Sequence, residues 1–155
     1  MRSQCKNYFA GSIRKILVLM AVLPILPGFR AADVSLPWLE QRLQRYFNPG
    51  ADVKLKKFEL HVTDEGFFRL RKFFPNGKQE YFSFNLRRLK DISYLGDTIS
   101  GTLLLTTAGA DIIVQTYNDR KGNIDSMAGA LPLPLKNIET TQLDSISEML
   151  LKVKN

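Results

Sequence analysis

The chain has one cysteine, one histidine and one tryptophan in 155 residues. Cys5 stands ahead of the apolar run Ile16–Leu26, so everything after that run is free of thiol. That excludes an internal disulfide, a Cys nucleophile and a thiolate metal ligand there. With His61 the only imidazole, a His-based zinc site and a thiol–imidazole pair are excluded too. A Ser-His-Asp arrangement would have to use His61, and no G-x-S-x-G-like context exists for its serine. Internal repeats, low-complexity tracts and a linker to a second domain are also missing. Such a chain must fold by core burial alone, and about 120 residues bury about two-thirds of their unfolded surface.

Charge of one sign gathers at one end. Met1–Lys15 carries Arg2, Lys6, Arg14 and Lys15 with no acid, followed by "ILVLMAVLPIL" and "PGFRAAD". A basic segment, a short apolar run and small residues at Ala31–Ala32 form the pattern of a secretory signal peptide. Taken as Ile16–Phe29, the apolar stretch reaches about 21 Å as a helix, against roughly 30 Å of bilayer hydrocarbon. Pro24 and Pro27 weaken it further as a spanning helix. The cleavage site departs from the small-residue rule, because Phe29 or Arg30 falls three residues before the cut. The alternative is an uncleaved leader that tethers the protein to a membrane. The expected organisation is a signal peptide over residues 1–32 and one domain over 33–155, exported to the periplasm or beyond. Five of the 22 basic residues belong to the leader, leaving 17 against 15 acids, a net +2 rather than +7. The high overall charge is therefore no argument for a nucleic-acid partner.

After the leader, Leu36, Leu39, Leu43, Tyr46 and Phe47 recur at helical spacing and predict an amphipathic helix over Leu36–Phe47, stopped by Asn48-Pro49-Gly50. Alternating segments follow at Val53–Val62, Phe67–Phe74 and Gln79–Leu86, joined by "TDEG" and "PNGK", and predict a meander. Val53 and Leu55 are out of phase with Phe58, Leu60 and Val62, which predicts a bulge near Lys56–Lys57. Beyond them lie an irregular connection with a short strand at Ile92–Leu95, a hairpin of "GTLLLTT" and "DIIVQTY" around Ala108–Ala110, a loop, and an edge segment Ala130–Ile138 marked by its prolines. Leu143, Ile146, Leu150 and Val153 predict a closing helix. The fold class is α+β: an antiparallel sheet or partly open β-barrel of five to seven strands with an amphipathic helix at each end.

From "YFSFNLRRLKDISYL" through "GTLLLTTAGADIIVQTYND" to the final helix, the order resembles a pleckstrin-homology-like (PH or GRAM) barrel. The resemblance covers roughly Val53–Lys152 and rests on pattern. It implies a barrel closed by the C-terminal helix and carries over no binding residues.

Three places invite a functional reading. "YNDRKGNIDS", Tyr117–Ser126, has the Asp, Asn and Gly of a calcium loop, but Tyr117 and Lys121 stand where oxygen ligands belong and Ala128 where a bidentate Glu belongs. The same residues make a tight turn. No metal is assigned; Asp119, Asn123 and Asp125 are the set that would hold a cation there. Asp64-Glu65 falls in a turn, and general acid–base work by two carboxylates needs a cleft that the sequence does not supply. The aromatic and basic meander is the third. Phe67, Arg69, Arg71, Phe73 and Tyr81 are the candidate ligand contacts, with Phe68, Phe74, Phe82 and Phe84 among them. Phe on both faces of Phe67–Phe74 means either a cover on each face or an aromatic surface left for a ligand. Aromatics beside Arg also suit a single-stranded nucleic-acid platform, but the export signal and near-neutral body count against that use.

The expected function is a non-enzymatic binding or interaction domain of the bacterial cell envelope, without cofactor. Its partner would be an envelope protein, a peptide or an apolar ligand, and a membrane would be reached only through an uncleaved leader. A carboxylate-dependent hydrolase without a recognisable motif, or a membrane-tethered structural domain, is the alternative.

Overall fold

A computed structural model describes residues 35–51 and 53–154. The predicted signal peptide lies outside the described residues, which all belong to one compact unit, Ala32–Asn155. Among the described residues no helix is long and apolar enough to cross a membrane.

The elements run α1 (Ser35–Tyr46), β1 (Lys57–Val62), β2 (Phe67–Phe73), β3 (Gln79–Asn85), β4 (Leu89–Gly96), β5 (Ser100–Thr107), β6 (Ile112–Tyr117), β7 (Asp125–Ala128), β8 (Ala130–Lys136) and α2 (Thr140–Lys154). The class is α+β. The eight described strands form two antiparallel sheets, ordered β1-β2-β3-β6-β7 and β4-β5-β8, and no closed barrel. The chain passes from the larger sheet to the smaller after β3, returns after β5 and passes again after β7. A 3₁₀ turn, Leu86–Arg88, makes the first passage; the Asn85 side chain caps it by accepting the Arg87 N–H at 3.0 Å.

One apolar core serves both sheets. Leu60, Val62, Phe68, Leu70, Phe84 and Ile112 face it from the larger sheet, and Leu103, Leu105, Leu131, Leu133 and Leu135 from the smaller. The helices close it with Leu36, Leu39, Leu43, Tyr46, Ile146 and Leu150. The β1-β2-β3 meander and both terminal helices are where periodicity predicts them.

Four expectations are corrected. The segments "GTLLLTT" and "DIIVQTY" are not partners: β5 has β4 on one side and β8 on the other, while β6 lies between β3 and β7. The link between them is a corner, in which Asp111 takes the Gly109 N–H at 3.0 Å and pairs with Arg88, and the Ala108 N–H reaches the Arg88 carbonyl at 3.0 Å. Second, the loop after β6 contains a strand, β7, so the described residues hold eight strands rather than five to seven. Third, the short strand expected at Ile92–Leu95 is part of a longer one, the eight-residue β4, so little of the connection is irregular; a register shift between Leu89 and Asp91 breaks its alternation. Fourth, β1 starts at Lys57, so Val53 and Leu55 precede the strand and no bulge is needed to explain their phase.

Two sheet edges are closed off, the first marked in the sequence by its prolines. Pro132 and Pro134 lie on the edge strand β8, where the Pro134 carbonyl points outward to accept the Asn48 N–H at 2.8 Å. Their missing N–H groups are on that same outward side, so the ladder to β5 loses nothing. On β1, helix α1 supplies what a neighbouring strand would: Gln44 Nε2 donates to the Leu60 carbonyl at 2.7 Å, and Glu40 Oε2 accepts the Val62 N–H at 2.8 Å. In the smaller sheet, Tyr94 lies over Gly101, where a Cβ would overlap its ring, and its hydroxyl donates to the Asp97 carbonyl at 2.6 Å.

Candidate functional site

Period-two alternation that sends Phe68 and Leu70 inward sends Phe67, Arg69, Arg71 and Phe73 to the opposite face of β2. The ladder registers extend that face across the sheet. Arg71 lies opposite Glu59 on β1 and Tyr81 on β3, and Tyr81 lies opposite Gln115 on β6. Arg69 lies between His61 and Ser83; Phe73 lies between Lys57 and Gln79. All five candidate contacts thus share one outer face, away from the core.

Neither described helix covers this face: α1 packs on the β1 edge, and α2 on α1, the 3₁₀ turn and β4. Large apolar groups stand in solvent on it, with Phe67 39%, Ile113 40%, Tyr117 39% and Met127 53% exposed. Ile113 and Met127 are cross-strand partners, so they form one patch rather than scattered singles. Of the two arrangements that Phe on both faces of β2 allows, the structure has the uncovered one.

Two cations on the face, Arg71 and Lys57, lie against rings. The Arg71 guanidinium carbon lies 5.9 Å from the Phe73 ring centre and 5.7 Å from that of Tyr81. Its Nε is shielded from solvent and makes no hydrogen bond. Lys57 Nζ lies 5.5 Å from the Phe73 ring and 2.6 Å from Glu59 Oε1. The Lys57 hydrogen bond holds the Glu59 carboxyl below its ordinary pKa, with Arg71 and His61 adding to the effect. The face therefore combines aromatic planes, fixed guanidinium donors and exposed aliphatic groups in neighbouring rows.

Of the other sequence candidates, His61 and Asp125 share this face by register, and Asp119 and Asn123 lie in the turn beyond β6. Asn118, at φ 56°, and Gly122, at φ 101°, turn the chain between β6 and β7. Asp119 Oδ1 accepts the Lys121 N–H at 2.9 Å, Asp119 Oδ2 pairs with Lys78 at 3.0 Å, and Asn123 Oδ1 accepts the Asp119 N–H at 3.2 Å. These oxygens are engaged in the turn. Asp125 belongs to β7, opposite Gln115. Among the described residues no group of three or more His, Cys, Asp or Glu side chains is placed to hold a metal ion. His61 is a surface imidazole, its side chain 60% exposed and its Nδ1 3.3 Å from Glu40 Oε1.

Three contributors to the face escaped the sequence reading. Ile113 and Tyr117 follow from the parity of "DIIVQTY" once Ile112, Val114 and Thr116 are taken as inward. Met127 required knowledge of β7. A separate cleft of about 230 Å³ opens between the sheets at Phe47, Val53, Leu55, Phe74 and Pro134 and contains none of the five candidates. Compared with family models, characterised proteins and solved structures, the chain matches none of them.

Proposed function

We propose that the protein is an exported, non-enzymatic binding module of the cell envelope, and that the outer face of its five-stranded sheet is the contact surface. One observation carries this reading: Arg71 is held against the rings of Phe73 and Tyr81 on an uncovered sheet face that also exposes Phe67, Ile113, Tyr117 and Met127. Ordering a guanidinium costs side-chain entropy, and a surface that has already met that cost binds with less to lose. Arg69 and Arg71 form none of the ion pairs found among the described residues, so the complementary partner is a polypeptide segment presenting carboxylates beside apolar side chains. The leader pattern of residues 1–32 supports the exported setting. Every carboxylate whose pKa is displaced is displaced downward, at Glu59, Glu65, Asp97, Asp111 and Asp119, which suits ion pairing and turn capping more than acid catalysis. The finer reading of the fold, a partly open barrel of the pleckstrin-homology-like kind, draws support from the closing C-terminal helix. The repeated crossing between sheets departs from that pattern.

The test uses cysteine placement in a body that lacks thiols. Ile113→Cys and Leu104→Cys, exposed on the outer faces of the larger and smaller sheets, are labelled with a photo-crosslinking maleimide and mixed with envelope extract. A discrete adduct from Ile113→Cys, lost when Arg69→Ala and Arg71→Ala are added and not formed from Leu104→Cys, is the expected result. Equal labelling from both positions would remove the reading.

A further inference from the structure

A second surface carries charge that the outer sheet face does not use. Between the last turns of α1, the end of β8 and the start of α2 lies a cleft of about 400 Å³, lined by Arg42, Arg45, Lys136, Asn137, Glu139 and Gln142. Three cations against one carboxylate leave two positive charges in it. None of the three cations takes part in an ion pair among the described residues, and Glu139 is not paired with any of them. Arg42 is instead laid over the Trp38 ring, 5.5 Å from its centre, and Arg45 over the Tyr46 ring at 5.7 Å.

The cleft also collects unpaired polar atoms. Arg42 Nε and Gln142 Oε1 are both shielded from solvent, and neither has a hydrogen-bond partner. Such atoms are rare, because a buried polar group without a partner is costly. Both belong to side chains that line the cationic cleft. The Gln142 amide can be turned end for end, so that it presents N–H donors rather than its oxygen.

We infer that this cleft binds a phosphoryl-bearing anion, either a soluble phosphomonoester or the headgroup of a phosphatidic-acid-like lipid. A tetrahedral dianion matches the charge excess, and guanidinium forks match its oxygens better than they match a spherical ion. The cleft is larger than a phosphate alone and has room for a small organic group attached to it. Glu139 sits at the start of α2 and disfavours an anion that reaches toward it, so the phosphoryl group belongs on the Arg42–Arg45–Lys136 side. The cleft shares no residue with the outer face of the larger sheet, and this inference stands apart from the proposed partner there.

The only tryptophan reports on the site, since Arg42 lies against it. The purified protein is titrated with inorganic phosphate and with glycerol 3-phosphate, against chloride at matched ionic strength, and Trp38 fluorescence is followed. In a second arm, phosphatidic acid vesicles replace the soluble anions, with phosphatidylcholine vesicles as the blank. The expected result is a saturable response in at least one arm. It is weakened tenfold or more by Arg42→Gln and by Lys136→Gln and is unchanged by Arg69→Gln on the sheet face. A response confined to soluble anions assigns the phosphomonoester, and one confined to vesicles assigns the headgroup. Lys136 is exposed, so Lys136→Gln keeps the test decisive if Arg42→Gln does not fold. No response beyond that of chloride in either arm, or a Lys136→Gln titration identical to that of the parent, overturns the inference.

Discussion

The two sheets bury the same kind of residue and expose different kinds. Inward, both are aliphatic with a few aromatics, and both feed one core. Outward, the smaller sheet shows Asp91, Ser93, Thr102, Thr106, Pro132 and Pro134, which are short, β-branched or conformationally fixed side chains, together with Leu95 and Leu104. Leu95, 83% exposed near a strand end, and Leu104, 36% exposed, are the large apolar side chains on this face. The larger sheet shows Arg, Lys, Phe and Tyr in registered rows. Core packing dictates neither set, because both point away from it. The difference teaches that a shared core leaves the composition of each outer face free. The smaller sheet stays extended in the same molecule with no aromatic or Arg side chain on its outer face.

The sharpest way to break the comparison is to test whether the sheets fold as one unit. Leu70 and Leu133 are both fully buried, one from each sheet. Leu70→Ala and Leu133→Ala should each lose roughly 2–5 kcal/mol. In urea each variant should still unfold in one transition, with Trp38 fluorescence and far-UV circular dichroism coincident. Two separated transitions in the Leu133→Ala protein would mean that the smaller sheet has a core of its own.

Next in size is the contrast between the outer faces. Arg71→Ala removes two ring contacts and should cost about 1 kcal/mol of stability, while partner binding in the crosslinking experiment falls tenfold or more. Thr102→Ala on the smaller sheet should leave partner binding unchanged. Equal losses of binding from the two substitutions would show that the faces differ in composition and not in use.

The sequence made the inward half of this comparison legible and much of the outward half. Strict alternation in Phe67–Phe74 and Gln79–Leu86 separates inward from outward residues, and the turn chemistry of "TDEG" and "PNGK" fixes the meander. Pairing beyond the meander was hidden for a physical reason. "GTLLLTT-AGA-DIIVQTY" has every local mark of a hairpin, and only competition for edges decides otherwise: β5 is already flanked by β4 and β8. Local propensity cannot report which edge is vacant. The strand β7 was masked because Asp125 and Ser126 are turn-formers by type and become strand residues only through their ladder with Gln115 and Val114. The cationic cleft was equally invisible, since Arg42 and Gln142 are a hundred residues apart and meet only because α1 and α2 pack together.

A smaller effect is expected at the β1 edge, where side chains of α1 replace a neighbouring strand. Glu40→Ala leaves the Val62 N–H without its acceptor and should cost about 1 kcal/mol. Amide exchange at Val62 should quicken while exchange at Leu133, on β8 of the smaller sheet, keeps its parent rate. If both amides quicken together, the loss is global and the edge role of α1 is wrong.

The smallest expected effect concerns the turn that first resembled a calcium loop. Lys78 lies 3.0 Å from both Glu80 and Asp119, and so ties the β2–β3 hairpin to the β6–β7 hairpin. The Lys121 backbone N–H and then Lys78 hold the Asp119 carboxyl below its ordinary value of 3.8, and Asp119 with Glu80 raises the Lys78 ammonium above its own. The signs follow from linkage. Lowering of the folded pKa of Asp119 means that its contribution is complete above pH 3.8 and is lost as the pH falls through the depressed value. The raised pKa of Lys78 gives a contribution that is complete below its unfolded value of 10.5 and fades as the pH rises through the folded one. The acid limb of the parent protein also includes Glu59, Glu65, Asp97 and Asp111, so only a difference between proteins isolates this pair. Asp119→Asn should therefore match the parent most closely near pH 2 and fall slightly behind it above pH 4, with the gap shrinking at high salt because the pair is at the surface. Calcium should leave the thermal midpoints of both proteins unchanged, because the oxygens of Asp119 and Asn123 already serve the turn. A calcium-dependent rise in the parent that Asp119→Asn abolishes would restore the cation-loop reading and make this hairpin, rather than the open sheet face, the part of the molecule to pursue.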